Sequence, residues 1–292
     1  MASAISAHVR SVLFNRHQHA RPHVTGWRAV GLGTRKKKSR NRSPLTPNAL
    51  PGVPYPWSPD GTDQPSVISE LASRVVAAAF FGDGDGDARV FVGIAGCPGS
   101  GKSTLAKQVA AKVNTAAGDD VCVIFPMDGF HYYMRDLKGN KDVFPDAELA
   151  VKRRGAPFTF DAKAFVDKVR VAKTDGATIN IPVPEFDHET HDPEEGKITI
   201  KPTHKIVLVE GNYLLLPDSP WSALVGEELL DETWFVDTSV DDAMSRIEKR
   251  HVAVGRTPEV AKTRADGNDR PNAELVVKHK ERADVFVPSY DM

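Results

Sequence analysis

GCPGSGKST, residues 96–104, decides how this chain folds. The stretch fits G-x-x-x-x-G-K-[ST], in which glycines let the backbone curl until several N–H groups face one point. An apolar run of strand type, RVFVGIAG, precedes it, and an amphipathic stretch, STLAKQVAAKVNTAAG, follows it. The N–H groups would converge at a helix N-terminus, where partial positive charge collects. Strand, glycine-rich loop and helix in this order predict a phosphate-binding site.

Each residue of this phosphate loop is a candidate nucleotide contact. Lys102 would reach the β- and γ-phosphates of ATP, and the Ser103 hydroxyl would ligate Mg²⁺. Cys97 is either a small filler or a thiol whose oxidation blocks the nucleotide. The predicted contacts are Gly96, Cys97, Pro98, Gly99, Ser100, Gly101, Lys102, Ser103 and Thr104.

Apolar strand-type runs alternate with helical stretches over the rest of the chain. This alternation predicts an α/β fold, a mainly parallel sheet flanked by helices, in one domain over 65–292. Strands are predicted at 89–96, 121–128, 206–211 and 233–239, with an extended, proline-interrupted segment at 178–187 and a further strand near 197. Helices are predicted at 66–82, 103–118, 161–173, 240–255, 257–266 and 271–283, and Asp161 is the predicted N-cap of the helix at 161–173.

The first 59 residues differ in charge from the rest of the chain. They contain ten Lys and Arg, including RKKKSRNR at 35–42, and no Asp or Glu. The remainder has 28 basic and 39 acidic residues, a formal charge of −11. We therefore expect residues 1–58 to be a disordered transit peptide and Pro-rich linker, for a chloroplast sooner than a mitochondrion. The alternative is a disordered basic tail that binds RNA or anionic lipid.

Composition excludes several further classes. Two cysteines cannot form a disulfide framework, and the absence of an 18-residue apolar run predicts no membrane span. We expect no nucleic-acid partner for the mature protein. The sequence does not indicate an oligomeric state.

The acidic residues of the sequence indicate which reaction follows phosphate binding. The only Asn-Lys pair lies in GNKDV, where Val143 stands in place of the Asp of a guanine-reading N-K-x-D, so a signalling GTPase is disfavoured. No strand ends in the Asp-Glu pair typical of motor and transporter ATPases. Instead Asp128 follows VCVIFPM and Glu210 follows KIVLV. Strand ends beside a phosphate loop are where a parallel sheet places ligands, so one acid would accept a proton and the other would anchor a metal. The alternative for each is a turn-capping role.

Five segments, in order, resemble one family. They are MDGFHYY, RRGAPFTFD, PEFDHETHDP, VLVEGNYLLL and RIEKRHVAVGR. Together they resemble the phosphoribulokinase, uridine kinase and pantothenate kinase superfamily of P-loop kinases, nearest its nucleoside/nucleotide-kinase-like members. The resemblance covers about 88–285 and implies a P-loop NTPase fold with a helical lid and a small substrate-side hairpin.

The resemblance also implies roles. Asp128 would be the catalytic base and Glu210 would serve the Mg²⁺ shell. Arg250 and Arg256 are the preferred lid arginines, ahead of Arg246, and a solvated basic face is the alternative. Substrate-side candidates are Arg153, Arg154, Asp161, Phe186, His188 and His131, with His191 a weaker one.

The substrate does not carry over, because the chain has Asp-Gly-Phe-His where uridine kinases usually have Asp-Ser-Phe-Tyr. We therefore expect ATP- and Mg²⁺-dependent phosphoryl transfer to a hydroxyl of a small molecule: a nucleoside, a sugar or a pantothenate-like alcohol. The alternative is a regulatory ATP-binding protein with slow hydrolysis.

Overall fold

A parallel five-stranded sheet organises the residues described by this computed structural model, 63–81 and 89–290. Its strands are β1 Val90–Ala95, β2 Cys122–Pro126, β5 Ile206–Gly211, β6 Glu232–Asp237 and β7 Val285–Pro288, in the spatial order β2-β5-β1-β6-β7. Every pairing between neighbouring strands is parallel. The expected α/β fold is therefore confirmed, whereas the predicted transit peptide and linker at 1–58 lie outside the described residues.

Helices and a hairpin surround this sheet. The helices are α1 Gln64–Phe81, α2 Lys102–Ala117, α3 Met134–Gly139, α4 Ala147–Lys152, α5 Ala162–Thr174, α6 Ala223–Gly226, α7 Val240–Ala253, α8 Pro258–Arg264 and α9 Arg270–Val277. β3 Ile181–Asp187 and β4 Asp192–Ile200 form the antiparallel hairpin. None of the described helices combines the length and apolar character needed to cross a membrane.

Alternation along the strands divides the core into two layers. In β1, Val90, Val92 and Ile94 face the layer formed with α1 and α2, and Phe91 faces the opposite layer, which contains α5. Both faces are buried, which explains why these strands are continuous apolar runs.

Several short elements were not predicted. No strand was expected at β7 and no helices at α3, α4 and α6, because four to six residues give little periodicity. The helix predicted at 271–283 is also wrong in extent: α9 ends at Val277, and a separate 3-10 turn covers Lys280–Arg282.

The strand register places the carboxyl ends of three strands together. Ile94 of β1 and Pro126 of β2 both pair with Glu210, which lies on the strand between them. The phosphate loop leaves β1 directly after Ala95, and the turn that contains Asp128 leaves β2 directly after Pro126. The three predicted features therefore meet at one edge of the sheet.

Candidate active site

The phosphate loop joins β1 to α2 through two left-handed glycines. Gly99 has φ 80° and Gly101 has φ 93°, a region that favours glycine. A Cβ on Gly99 would lie 2.5 Å from the carbonyl oxygen of Ala243 in α7. Lys102 is the first residue of α2, so the loop ends at a helix N-terminus. The backbone is therefore shaped as the motif predicts.

The carboxyl-terminal segment braces this loop. Ser289 Oγ donates a hydrogen bond to the Ser100 carbonyl oxygen at 2.8 Å, and Arg246 Nη1 donates to Ser289 Oγ at 2.7 Å. Arg246 Nη1 also lies 3.4 Å from the Gly99 carbonyl oxygen. Arg246, considered above as a lid residue, is thus held against the loop backbone, and Ser289 is a contributor that carried no motif signal.

Ser103 and Glu210 supply the oxygen atoms that a metal ion would use. Ser103 Oγ donates to Glu210 Oε2 at 3.1 Å, and Glu210 is 7% exposed. Burial raises the pKa of Glu210, while the charge of Lys102 opposes that shift. Hydroxyl and carboxylate oxygens suit Mg²⁺, which usually keeps waters and substrate phosphates as its other ligands. The two side chains therefore fit Mg²⁺. Within 63–81 and 89–290, no group of three or more His, Cys, Asp or Glu side chains is arranged to hold a metal ion.

Cys97 is buried at the start of the loop. Burial raises the pKa of its thiol to about 11. Because the thiolate is the reactive form, this environment makes Cys97 inert near neutral pH and favours the filler interpretation over an oxidation switch.

Asp128 lies in a 3-10 turn, Met127–Phe130, that follows β2. Burial raises the pKa of both Glu210 and Tyr213, and the charge of Asp128 adds to each rise, so its carboxylate lies near Glu210 of β5 and near Tyr213 just after that strand. The turn packs closely against the hairpin, because a Cβ on Gly129 would lie 2.1 Å from the carbonyl oxygen of Pro184. Glycine is therefore required for this approach.

His131 follows that turn and has a defined tautomer. Its Nδ1 lies 2.8 Å from the carbonyl oxygen of Asp128, so Nδ1 must carry the hydrogen that is donated. Burial lowers the pKa of His131, which keeps the ring neutral and leaves Nε2 as an acceptor.

A wall of rings and one guanidinium lies beside Asp128. The His131 ring centroid is 3.9 Å from that of Phe160 and 4.8 Å from that of Phe186. The His188 ring centroid lies 5.4 Å from that of Phe186. The Arg154 guanidinium carbon also lies 5.4 Å from the Phe186 centroid, above the ring. These five residues are called the acceptor wall here. The structure thus brings together the predicted residues His131, Arg154, Phe186 and His188.

Arg154 is fixed by the protein itself. Nη2 donates to Asp192 Oδ1 at 2.8 Å and to the Tyr132 carbonyl oxygen at 2.9 Å, and Nη1 donates to the His191 carbonyl oxygen. Asp192 Oδ1 also accepts from the backbone N–H of Met134 at 2.8 Å. Arg154 therefore joins the hairpin to the loop before α3. The hairpin sequence contains several acids, and only the contacts show that Asp192 is the one that binds Arg154.

Asp161 is the N-cap of α5, as predicted. Its side chain accepts from the Ala164 N–H at 2.9 Å, and its own N–H donates to the Phe130 carbonyl oxygen at 2.8 Å. These contacts attach α5 to the Asp128 turn. They give Asp161 a structural role that needs no bound substrate.

Three residues that the sequence did not assign to the acceptor side hold the loop at Arg153–Gly155: Tyr213, and Asn268 and Asn272 of NDRPNAEL, 268–275, a stretch whose sequence is compatible with a helix cap or an adenine contact. Tyr213 donates from its buried hydroxyl to the Gly155 carbonyl oxygen. Asn268 Nδ2 donates to the Arg154 carbonyl oxygen at 2.9 Å, and Arg153 Nη2 donates to Asn272 Oδ1 at 3.0 Å. The NDRPN stretch therefore contacts the acceptor side of the site.

The predicted lid arginines belong to the α7–α8 region. Arg250 is exposed in the last turn of α7, and Arg256 follows in the connection to α8. Arg256 Nη1 contacts His251 Nδ1, and His251 Nε2 lies 3.8 Å from Asp269 Oδ2. The two preferred lid arginines therefore lie at the end of α7 and in the connection that follows it.

Comparison with known proteins agrees with this arrangement. The model of the Phosphoribulokinase / Uridine kinase family matches residues 91–292. The chain belongs to this family. It is 39% identical over 203 residues to a provisionally named uridine kinase of Schizosaccharomyces pombe, covering 68% of this chain and 83% of that protein. It is 36% identical over 167 residues to an ATP-dependent kinase-like protein of Aspergillus versicolor, covering 56% and 93% respectively.

Solved structures give the same result. A provisionally named fructose transport system kinase of Silicibacter sp. TM1040 superposes with a TM-score of 0.63 at 29% identity, covering 75% of this chain and 98% of that one. The P-loop fold is confirmed, and family membership makes this protein an ATP-dependent kinase, a phosphotransferase.

Proposed function

We propose that this kinase transfers the γ-phosphoryl group of ATP to a hydroxyl group of a small molecule. The observation that carries the proposal is the position of Asp128. It follows β2, its charge acts on Glu210 beside the phosphate loop, and its turn continues into His131 of the acceptor wall. A carboxylate between a phosphate loop and a second binding surface suits proton transfer from an acceptor hydroxyl.

Each group then has a distinct task. Asp128 accepts the hydroxyl proton as the acceptor oxygen bonds to phosphorus and the bond to the leaving phosphate oxygen breaks. Lys102 and the N-terminus of α2 hold the negative charge of the β- and γ-phosphates. Arg250 and Arg256 are proposed to close over the same phosphates, where one arginine can contribute on the order of 10³ to 10⁵ in rate.

Ser103 and Glu210 are the residues that would hold Mg²⁺. When bound, the ion supplies charge neutralisation on the phosphates.

The acceptor class follows from the acceptor wall. Phe160, His131 and Phe186 offer ring faces, and the free Nε2 of neutral His131 accepts from a hydroxyl or an N–H. A nucleoside or a sugar suits these groups, and a pantothenate-like alcohol is the third candidate. The relatives support this range, since one is named for uridine and another for fructose transport.

A panel assay tests the proposal directly. The full chain is incubated with γ-labelled ATP, Mg²⁺ and individual nucleosides, sugars or pantothenate, and labelled products are separated. One labelled acceptor supports the proposal. Release of inorganic phosphate with no labelled acceptor would instead favour a regulatory ATP-binding protein.

Two variants test the assigned residues. Asp128→Asn should still bind ATP but lose about 10²- to 10⁴-fold in transfer, because the proton acceptor is removed. Asp142→Asn, at an exposed acid, is the matched control. Lys102→Ala should weaken both ATP binding and turnover, while the exposed Lys112→Ala on the same helix should change neither. Full transfer by Asp128→Asn would remove Asp128 as the base.

We further propose that residues 1–58 direct the protein to an organelle, a chloroplast sooner than a mitochondrion, on the charge pattern described above. A fluorescent reporter fused to this segment should enter the organelle in plant cells. Diffuse fluorescence would refute the proposal.

A further inference from the structure

A chain of hydrogen bonds, called the loop relay here, reaches the phosphate loop from its outer side. Arg246 Nη1 of α7 donates to Ser289 Oγ at 2.7 Å, and Ser289 Oγ donates to the Ser100 carbonyl oxygen at 2.8 Å. A guanidinium group only donates, so the serine oxygen must accept from Arg246, and its single hydrogen is left for Ser100. The direction of both hydrogen bonds therefore follows from the chemistry of the three groups.

The relay acts on the peptide group between Ser100 and Gly101. This peptide bond is trans, and in a trans peptide the C=O and the N–H point in opposite directions. A Ser100 carbonyl oxygen held by Ser289 therefore directs the Gly101 N–H away from the relay and into the loop. Within 63–81 and 89–290 that N–H donates to no protein acceptor, so it is available to a phosphate oxygen at the N-terminus of α2.

Glycine at position 101 allows this peptide group to turn over. Gly101 has φ 93°, and a flipped peptide would give it a negative φ, which glycine adopts about as readily. The flip would replace the N–H that faces the loop with a carbonyl oxygen, whose partial negative charge repels phosphate. A hydrogen bond to the Ser100 carbonyl oxygen from outside the loop therefore favours the orientation that binds phosphate.

The carboxyl-terminal segment is attached to the sheet without the Ser289 hydroxyl. The Ser289 N–H donates to the Asp237 carbonyl oxygen at 3.2 Å, which extends the pairing of β7 with β6 by one residue. On the other side of the relay, α7 already packs against the loop, because a Cβ on Gly99 would lie 2.5 Å from the Ala243 carbonyl oxygen. The side-chain relay is therefore additional to the contacts that hold these elements in place.

We propose that Ser289 and Arg246 are positioning residues for the nucleotide, which hold the Ser100–Gly101 peptide group so that the Gly101 N–H faces the phosphates before ATP binds. This inference rests on the phosphate loop as the ATP site of the proposed function. A loop already in its binding conformation loses less free energy to ordering when the nucleotide arrives. Arg246 is then a fixed brace of the loop and not one of the arginines that close over the triphosphate.

Binding of ADP to the full chain tests the inference. Isothermal titration with Mg²⁺ and ADP compares wild type, Ser289→Ala and the matched control Ser73→Ala, which also removes a hydroxyl that donates to a carbonyl oxygen at 2.8 Å, within α1. We expect Ser289→Ala to bind ADP about 3- to 10-fold more weakly, as for the loss of one hydrogen bond, and Ser73→Ala to stay within about twofold. Binding by Ser289→Ala equal to that of wild type overturns the inference.

Steady-state kinetics separate positioning from a role in the transfer step. With an acceptor found by the panel assay, Ser289→Ala should raise KM for ATP by the same factor and leave kcat within about twofold, because the lost contact serves ground state and transition state equally. A lower kcat with an unchanged KM, the result expected for an arginine acting on the transferring phosphoryl group, overturns the positioning role.

A double variant tests the relay itself. In an Arg246→Gln background, Ser289→Ala should change ADP affinity by a smaller factor than in wild type, because the relay is already broken. Equal factors in the two backgrounds overturn the coupling between Arg246 and Ser289. Ser289→Thr keeps the hydroxyl and should bind ADP like wild type, and a loss equal to that of Ser289→Ala overturns the role of the hydroxyl.

The remaining outcomes distinguish the inference from the proposed function. If Ser289→Ala does not fold, Arg246→Gln takes its place and should bind ADP at least about threefold more weakly, and unchanged binding overturns the inference. Wild type that binds no ADP would refute the proposed function itself, whereas wild-type binding with an unaltered Ser289→Ala refutes only the relay.

Discussion

Replacing Gly129 with alanine tests whether contact with the hairpin positions Asp128. The added Cβ would lie 2.1 Å from the carbonyl oxygen and 2.5 Å from the carbonyl carbon of Pro184. Both atoms belong to backbone, so no side-chain rotation relieves the contact. Gly129 itself lies outside the positive φ region, so alanine there adds no backbone strain. The substitution therefore perturbs one contact, between the Asp128 turn and β3.

The structure sets the size of the effect. A carbon and a carbonyl oxygen normally approach to about 3.3 Å, so β3 must move away by about 1 Å. Overpacking of this kind costs about 1–3 kcal/mol, which corresponds to a fall in Tm of roughly 3–10 °C for a domain of this size. A displacement of about 1 Å between Asp128 and Phe186 of β3 should also reduce the rate of phosphoryl transfer by about 10²-fold.

Thermal melting and single-turnover transfer with an acceptor found by the panel measure the two effects. Gly139→Ala is the matched control, because a Cβ on Gly139 meets no atom within 4 Å and its φ is also ordinary. Gly129→Ala with the Tm and transfer rate of wild type would show that the close approach to Pro184 does not position Asp128.

Two further predictions concern buried groups. Tyr213→Phe removes the hydrogen bond to the Gly155 carbonyl oxygen and should lower the free energy of unfolding by about 1–3 kcal/mol in urea titrations; equal stability would show that this bond is not needed to hold the loop. Cys97 should resist iodoacetamide in the native protein at pH 8 and react after unfolding, because burial raises its pKa to about 11. Rapid alkylation of Cys97 in the native protein, detected by mass spectrometry, would contradict the expectation that its thiol is buried and unreactive.

The features that could be predicted were local in the chain. The phosphate loop was recognisable because its glycines, Lys102 and Ser103 are consecutive and flanked by a strand and a helix. Asp128 and Glu210 were found because each follows an apolar run, and parallel strands end at one edge of the sheet. The N-cap at Asp161 could be predicted because its partner, the backbone N–H of Ala164, is only three residues away along the chain.

The remaining features depend on contacts between distant segments. Ser289 braces Ser100 across 189 positions, and Tyr213 reaches Gly155 across 58. β7 is a strand because β6 offers it an edge, and four residues contain too little periodicity to show this. His251 likewise comes within 3.8 Å of Asp269 only when α7 packs against the turn that contains Asp269.

By itself the sequence determined that this chain has a P-loop followed by a helix, a parallel sheet and two acids at strand ends. Backbone conformation and strand burial depend on neighbouring residues, so these properties are encoded locally. Only the tertiary structure decided that Arg154 is held by Asp192 and that the Asp128 turn packs against the hairpin at Gly129. The physical reason is that charge and packing act through space, between residues whose separation along the chain gives no sign of their proximity.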